Sequence, residues 1–431
     1  CWSLVGSEMC IRDRMWTRKA TMMLVGGVSL ILVGMMVSHF HLMILGMLMV
    51  SLLVMASWIS GYPKLVVERE LSEENVYKGD DITVTLTISN QSRRRTQTLD
   101  IYDNVPHEMK IRRGINMIRA NLGPGQSTVL RYTVRCPLRG HFSIGPTSLR
   151  YRDVFGLFTD EGVADKRSDV IVFPQVRDIE DALLRSNVPK MYTGATTLRT
   201  PGQGTEFYSL REYMPGDSFR SINWKAFART GDLMVNEKVR DAVTDVHILF
   251  DTRDISRIGT VLKNPLEMGA VATASVSNHF IRRRDAVSLT TYGRRMDHLP
   301  AEAGDKQQYK ILSLLAGVSA GGTMPLQAVT NALIPRMNRG SPVFVVSSLE
   351  GDGTTLPAIR ALSSHGHTVY VLSPNSIDLE RLVSRIPRMA YEVLKMERQN
   401  RLMSLNGYGA NVIDWVPDID LAQALLQVKK G

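Results

Sequence analysis

From Ala20 through Pro63 the chain carries no Asp, Glu, Lys or Arg. A helix crossing the hydrocarbon core of a bilayer needs about 20 apolar residues, so this stretch has room for two. His39-Phe40-His41 divides it and reads as the tip of a helical hairpin. The apolar core of a cleavable signal is only about 7 to 15 residues long, which this stretch exceeds. Arg18 and Lys19 precede the first span, Lys64 and Arg69 follow the second, and the connector has no basic residue. The positive-inside rule then predicts a two-pass cell-membrane protein with both ends, and the bulk of the chain, in the cytoplasm. Gly27 and Gly34 lie seven apart on one helix face, a small-residue seam that lets two spans approach closely.

Residues 1–14, CWSLVGSEMCIRDR, differ in character from the rest and resemble translated sequencing-adapter sequence, so Met15 is the expected start. Without them Cys136 is the one remaining cysteine, which suits a reducing compartment. The net charge of +10 is unchanged, because Arg12 and Arg14 cancel Glu8 and Asp13. Such a balance invites a nucleic-acid reading through Arg93-Arg94-Arg95 and Arg282-Arg283-Arg284. Those runs lack the interleaved aromatics of a stacking platform. Basic residues beneath an anionic leaflet gain about 1 kcal/mol each, so the membrane is the expected partner and nucleic acid is not.

Three segments follow the hairpin at 15–63. Residues 64–175 read as a β domain: Ile82, Val84, Leu86 and Ile88 alternate with Thr83, Thr85 and Thr87, the pattern of a half-buried strand. Further short runs at Leu99 to Tyr102, Thr128 to Val134, Ser148 to Tyr151 and Val170 to Phe173 are separated by turn residues. Their spacing predicts an immunoglobulin-like sandwich, with Cys136 as an inert packing residue. In residues 241–431, apolar runs at Val246 to Phe250, Ala286 to Leu289, Val343 to Val346, Val369 to Leu372 and Val412 to Ile413 alternate with helical stretches. These lie near Leu266 to Arg282, Lys306 to Leu315 and Leu379 to Arg385. The alternation predicts a doubly wound α/β sheet whose ligand crevice lies beyond the carboxyl strand ends, at Asp251 and Ser347-Ser348.

Between them, residues 176–240 form a linker and a tract that fits neither period. Gly204 to Glu237 packs Arg211, Glu212, Tyr213, Gly216, Asp217, Arg220, Trp224 and Arg229 into one short stretch. Pro215-Gly216 signals a turn, and a helix is expected from about Phe219 to Arg229, stopping at Gly231. Phe219, Ile222 and Ala226 would then share one face, with Arg220 and Trp224 stacked as i, i+4 neighbours. The tract is either an internal ion-pair clamp or a docking surface anchored by Arg and Trp.

Three motifs carry a resemblance: Arg139-Gly140-His141-Phe142-Ser143-Ile144-Gly145-Pro146, Asp153-Val154-Phe155-Gly156-Leu157-Phe158, and the Gly204 to Glu237 tract. Together they resemble the domain of unknown function 58 family, and the resemblance covers most of the chain after the hairpin. It implies a sandwich followed by a von Willebrand factor type A-like domain. It also implies a non-enzymatic partner of a MoxR-type AAA+ ATPase that helps assemble or mature client complexes.

The implied domain normally holds a divalent ion in an Asp-x-Ser-x-Ser loop completed by a Thr and a second Asp, and such an ion needs several oxygen ligands. Asp251 and Thr323 match that pattern. Arg253 and Ile255 replace the serines, and Ser348 falls near the place of the second Asp. Asp254, Ser256 or Glu350 could compensate, or Arg253 could pair with Asp251 in place of a metal. The expectation is a degenerate site with no cofactor, Mg²⁺ or Mn²⁺ being the alternative through which an adhesion or regulatory domain would grip an acidic client residue. No enzyme is expected: nucleophile-elbow, phosphate-loop and zinc-helix motifs are missing from the sequence. Lys225 has no second carboxylate beside it, and His365-Gly366-His367 is read as a turn.

Overall fold

Strand β1 (Cys10–Trp16) runs straight into helix α1 (Arg18–Met36), and α2 (Phe40–Ile59) returns antiparallel to it. The computed structural model describes residues 10–59, 63–93, 95–153, 155–179, 201–215, 217–239, 245–381, 383–417 and 419–426, divided into two units, Cys1–Phe173 and Pro174–Gly431. Both α1 and α2 are long and apolar enough to cross a membrane. Their connection is tighter than expected: Ser38 takes a left-handed φ of 62° and the His39 amide reaches back to the Gly34 carbonyl at 3.0 Å. Phe40 and His41 therefore belong to the first turn of α2, and the tip is Val37 to His39. Gly27 and Gly34 do face α2. A third glycine, Gly46, makes the closest approach, since a Cβ there would stand 2.6 Å from the Gly27 carbonyl oxygen.

The rest of the first unit is a β sandwich. Its strands are β2 (Leu65–Leu71), β3 (Asn75–Tyr77), β4 (Asp81–Asn90), β5 (Thr96–Asp103), β6 (Lys110–Arg113), β7 (Met117–Leu122), β8 (Ser127–Arg135), β9 (Gly140–Ile144), β10 (Thr147–Arg152), β11 (Phe158–Ala164) and β12 (Ser168–Phe173). They form sheets ordered β1-β11-β10-β5-β7, β2-β4-β8-β6 and β3-β12-β9. Side chains from all three meet in a single core, to which β4 contributes Ile82, Val84, Leu86 and Ile88, as its alternation requires. Cys136 is buried in that core, and burial pushes its thiol pKa up to about 12.

One charged pair sits inside the sandwich. Arg69, in the middle of the Glu68-Arg69-Glu70 run, points inward and its Nε and Nη2 donate to both oxygens of Asp103, at 3.2 and 2.5 Å. Arg69 also donates to the Ile144 and Lys166 carbonyls and to Thr147 Oγ1, while Asp103 accepts from the Tyr132 hydroxyl at 2.7 Å and from Thr147 at 2.9 Å. A buried charge is tolerable only with such partners.

The second unit opens with a two-stranded hairpin, β13 (Pro201–Glu212) and β14 (Met234–Val239), with helix α3 (Trp224–Thr230) between its strands. Then come β15 (Asp245–Asp251), α4 (Pro265–Arg282), β16 (Ala286–Tyr292), β17 (Met296–Glu302), α5 (Asp305–Gly317), α6 (Leu326–Leu333), β18 (Pro342–Val346), α7 (Thr355–Ser364), β19 (Thr368–Pro374), α8 (Ser376–Arg381), α9 (Arg388–Gly407), β20 (Ala410–Trp415) and α10 (Leu421–Leu426). The strands form one sheet ordered β17-β16-β15-β18-β19-β20, parallel except for the antiparallel edge β17. Alternation sorts the side chains. Leu249, Val343, Val345, Val369 and Val371 pack with residues of α6, α7 and α9. On the opposite face Phe344 meets Phe280 of α4 and stacks on Tyr370, while Gly269 of α4 lets Phe250 approach closely. Both faces are thus covered, as a parallel sheet needs.

His247, in the central strand, is buried with its Nδ1 2.6 Å from Ser288 Oγ. Burial lowers its pKa from 6.5 to about 4. The unfolded chain therefore binds a proton that the fold rejects between those values, so stability present above pH 6.5 is lost as pH falls toward 4. At roughly 1.4 kcal/mol per unit the loss approaches 3 kcal/mol. Hydrogen exchange of β15 amides measured at pH 7 and pH 4.5 should report it, and His247→Gln should flatten the dependence.

Candidate docking surface and strand-end crevice

In the tract, β13 and β14 pair through Leu210 with Asn236, Arg211 with Val235 and Glu212 with Met234, and the Tyr213 amide extends the ladder to the Leu233 carbonyl. The expected single helix is broken. Phe219–Ser221 forms one 3₁₀ turn, Ile222 then bridges to Val235, and the Asn223 amide donates to the Met234 carbonyl at 2.8 Å. That bridge pulls Ile222 and Asn223 out of helical geometry. Helix α3 begins only at Trp224, where Asn223 Oδ1 accepts the Ala226 amide at 3.0 Å, and it ends as expected at left-handed Gly231. Phe219 and Arg220 consequently lie outside the helix, and among the described residues no Arg220–Trp224 stack forms. The ring neighbour of Trp224 is Phe227, edge-on at 6.2 Å.

The tract residues divide into two groups. Arg211 and Asp217 form a two-pronged pair at 2.8 and 2.7 Å, and Asp217 also accepts the Met214 amide at 2.9 Å. The Arg211 guanidinium, with that amide, holds the Asp217 carboxyl below its ordinary value. These two residues close the loop between the strands. Tyr213 is half-buried with Phe219 as ring neighbour at 6.0 Å, and Glu212 is exposed. Gly216 lies outside the described residues. Pointing outward are Phe219, 72% exposed, Trp224, 61% exposed, and the exposed Arg220 and Arg229. Among the described residues neither of these two arginines has an ion-pair partner.

The second cluster caps the carboxyl ends of the parallel strands. Asp251, the last residue of β15, accepts from Arg253 through Nε at 2.9 Å, Nη2 at 2.6 Å and the backbone amide at 3.0 Å, and from Ser347 Oγ at 2.6 Å. The same guanidinium stands 3.2 Å from Asp352 and 5.9 Å from the Tyr292 ring centre. Burial raises the Asp352 pKa, but the Leu326 and Thr354 amides, the Thr354 hydroxyl and Arg253 outweigh it and leave the carboxyl below its ordinary value. Burial, with Asp251 nearby, keeps the Tyr292 hydroxyl protonated far above its usual range. Thr323 is exposed, and among the described residues no hydrogen bond joins it to Asp251.

The possible substitute ligands are engaged elsewhere. Asp254 accepts the Gly322 amide at 3.1 Å, and Ser256 donates to the Asp251 carbonyl at 3.4 Å. Glu350 binds Arg401 at 2.7 Å and Arg398 at 3.5 Å. Arg398 is a residue that sequence reasoning missed. Buried on α9, it donates to Asp414 at 2.8 Å, Ser373 Oγ at 2.8 Å and the Ser348 carbonyl at 3.0 Å, fastening the ends of β18, β19 and β20. His367 is buried against the Ser341 carbonyl and His365 caps α7, so the pair converges on no common point.

Residues 209–380 match the family described as Protein of unknown function DUF58. The match takes in most of the Gly204 to Glu237 tract and the α/β sheet through β19, while the motifs at 139–146 and 153–158 lie outside it. The chain is similar to the Uncharacterized protein YeaD of Bacillus subtilis (strain 168), 21% identical over 344 residues, covering 79% of this chain and 82% of that one. It is also similar to the Uncharacterized protein Rv1480 of Mycobacterium tuberculosis (strain H37Rv), 27% identical over 187 residues, or 42% of this chain and 58% of that one. Among solved structures, a CARDB domain from Pyrococcus furiosus matches with 14% identity and a TM-score of 0.19 over 26% of this chain and 89% of its own. The native conformation of Escherichia coli alpha-2-macroglobulin matches with 20% identity and a TM-score of 0.20 over 26% of this chain and 7% of its own.

Proposed function

We propose that this chain is a membrane-anchored, cytosol-facing, non-enzymatic adaptor whose α/β unit is a von Willebrand A-like domain, working with a MoxR-type AAA+ ATPase on client complexes. The observation that carries the reading is the outward face of the tract. Arg211 and Asp217 satisfy each other and hold the loop shut, leaving Phe219, Arg220, Trp224 and Arg229 presented to solvent. Exposed Trp and Arg are the residue types that anchor protein interfaces. Clamp and docking surface are then two halves of one device, with different residues assigned to each. The hold of Arg253 on Asp251 favours this reading over metal-dependent adhesion, because a guanidinium already sits on the carboxylate that a divalent ion would need.

Copurification from native membranes, with and without ATP, tests the proposal. Trp224→Ala and Arg220→Ala should each weaken recovery of the ATPase by at least tenfold, the loss of one anchor being about 1.4 kcal/mol or more. Chelator should leave recovery unchanged. Unaltered copurifying proteins in both variants would sink the adaptor reading, and chelator-sensitive binding would revive the metal-dependent one.

A further inference from the structure

We infer that the Phe155–Phe158 turn is a lipid-interfacial wedge that seats the sandwich in the headgroup region of the membrane crossed by α1 and α2. The inference rests on the membrane reading of those helices. Its geometric basis is a staple at the start of α1. Thr17 donates its amide to the Leu157 carbonyl at 3.0 Å and its hydroxyl to the Gly156 and Leu157 carbonyls at 2.9 and 3.0 Å. Asp153 accepts the Phe155 and Phe158 amides at 3.3 and 2.9 Å, and Gly156 is left-handed with φ 66°.

Depth follows from the helix. The 19 residues of α1 rise about 28 Å at roughly 1.5 Å each, close to the thickness of the hydrocarbon core, about 30 Å. Thr17 therefore lies at the boundary, and the turn bonded to it lies at the same level. Leu157 and Phe158 go deeper, packing with Ala20, Leu53 and Ala56 in one buried cluster. Phe155, two residues from Leu157 and thus within about 7 Å of it along the chain, is 52% exposed. Trp16, which packs edge-on against Phe158, is 52% exposed, and Trp58 at the end of α2 is 86% exposed. Aromatic side chains at both helix ends on this side, with Arg18 and Lys19 beside them, form the belt that bilayer interfaces select. An exposed Phe at that level, on a turn bonded to Thr17 at the start of α1, meets lipid.

The test uses the full chain with Cys1→Ser and Cys10→Ser, reconstituted in bilayers of neutral and anionic phospholipid. A nitroxide is attached singly at Phe155→Cys, at Val28→Cys within α1, or at Val129→Cys on the outer face of β8. Relaxation by oxygen, which partitions into lipid, is compared with relaxation by a water-soluble nickel chelate. The Phe155 probe should show an oxygen-to-nickel ratio several-fold above that of Val129 and below that of Val28. A lipid-like Val28 with a Phe155 probe as wet as Val129 overturns the wedge alone. A wet Val28 overturns the membrane reading and the wedge with it. A Phe155 probe shielded from both reagents means protein contact and also overturns lipid as the occupant.

Discussion

Changing Arg253 to alanine is expected to destabilise the α/β unit by roughly 3–5 kcal/mol, the usual consequence of removing one partner from a buried ion pair. The side chain of Asp251 is completely buried and would keep only the Ser347 hydroxyl and the Arg253 backbone amide as donors. Asp352 would lose the same cation. The pair variant Asp251→Ala with Arg253→Ala should cost less than the two single changes together, because the Asp251 carboxylate is then removed along with its cation and only the loss at Asp352, which keeps its Leu326 and Thr354 donors, remains. Hydrogen exchange of the β15 and β18 amides in the full chain measures both quantities. Additive effects would mean that Arg253 contributes packing alone.

Arg69→Met should have an effect of similar size in the other unit, again roughly 3–5 kcal/mol. Methionine roughly replaces the buried stem but leaves Asp103 with only the Tyr132 and Thr147 hydroxyls, and leaves the Ile144 and Lys166 carbonyls without that donor. This arginine ties β2 of one sheet to the neighbouring β5 and β10 of a second and to the end of β9 in the third, so its loss unfastens the sandwich as a whole. Cys136 provides the readout. Its thiol is buried with a pKa near 12, so it reacts with a disulfide reagent only when the core opens. In a Cys1→Ser, Cys10→Ser background its labelling rate should rise at least a hundredfold in Arg69→Met, and an unchanged rate would show that the arginine is dispensable.

What the sequence discloses follows from where polar residues stand. The Ile82 to Ile88 alternation and the five apolar runs of the α/β sheet announce themselves because each has a repeating apolar face. Strand β2 does not, since its inward positions include Arg69, whose charge breaks the pattern that marks an inward face. Helix α9 is concealed for the same reason: its buried residues are Arg398 and Leu405, and a buried arginine leaves no apolar stripe. In the tract the Asn223 cap and the Gly231 stop are local chemistry, but the break at Ile222 is set by its bridge to Val235, a partner thirteen residues away. The pairing of Arg253 with Asp251 is legible because only one residue separates them. Its extension to Asp352 depends on the return of the chain after β18.

The strand order has a consequence for synthesis. Strand β15 sits at the centre of the sheet, yet its partner on one side, β18, begins roughly 90 residues later. At about 5–20 residues per second on the ribosome, that edge stays unpaired for roughly 5 to 18 s. During that interval Val246 to Phe250, apolar apart from His247, presents open backbone donors and acceptors beside the completed β15–β16 pair. The two apolar helices are translated long before, so in the membrane-anchored protein proposed above the vulnerable edge emerges while the nascent chain is already held at the bilayer. Anchorage then limits its encounters with other nascent chains, and slow translation between Arg253 and Ser341 would lengthen the exposure in direct proportion.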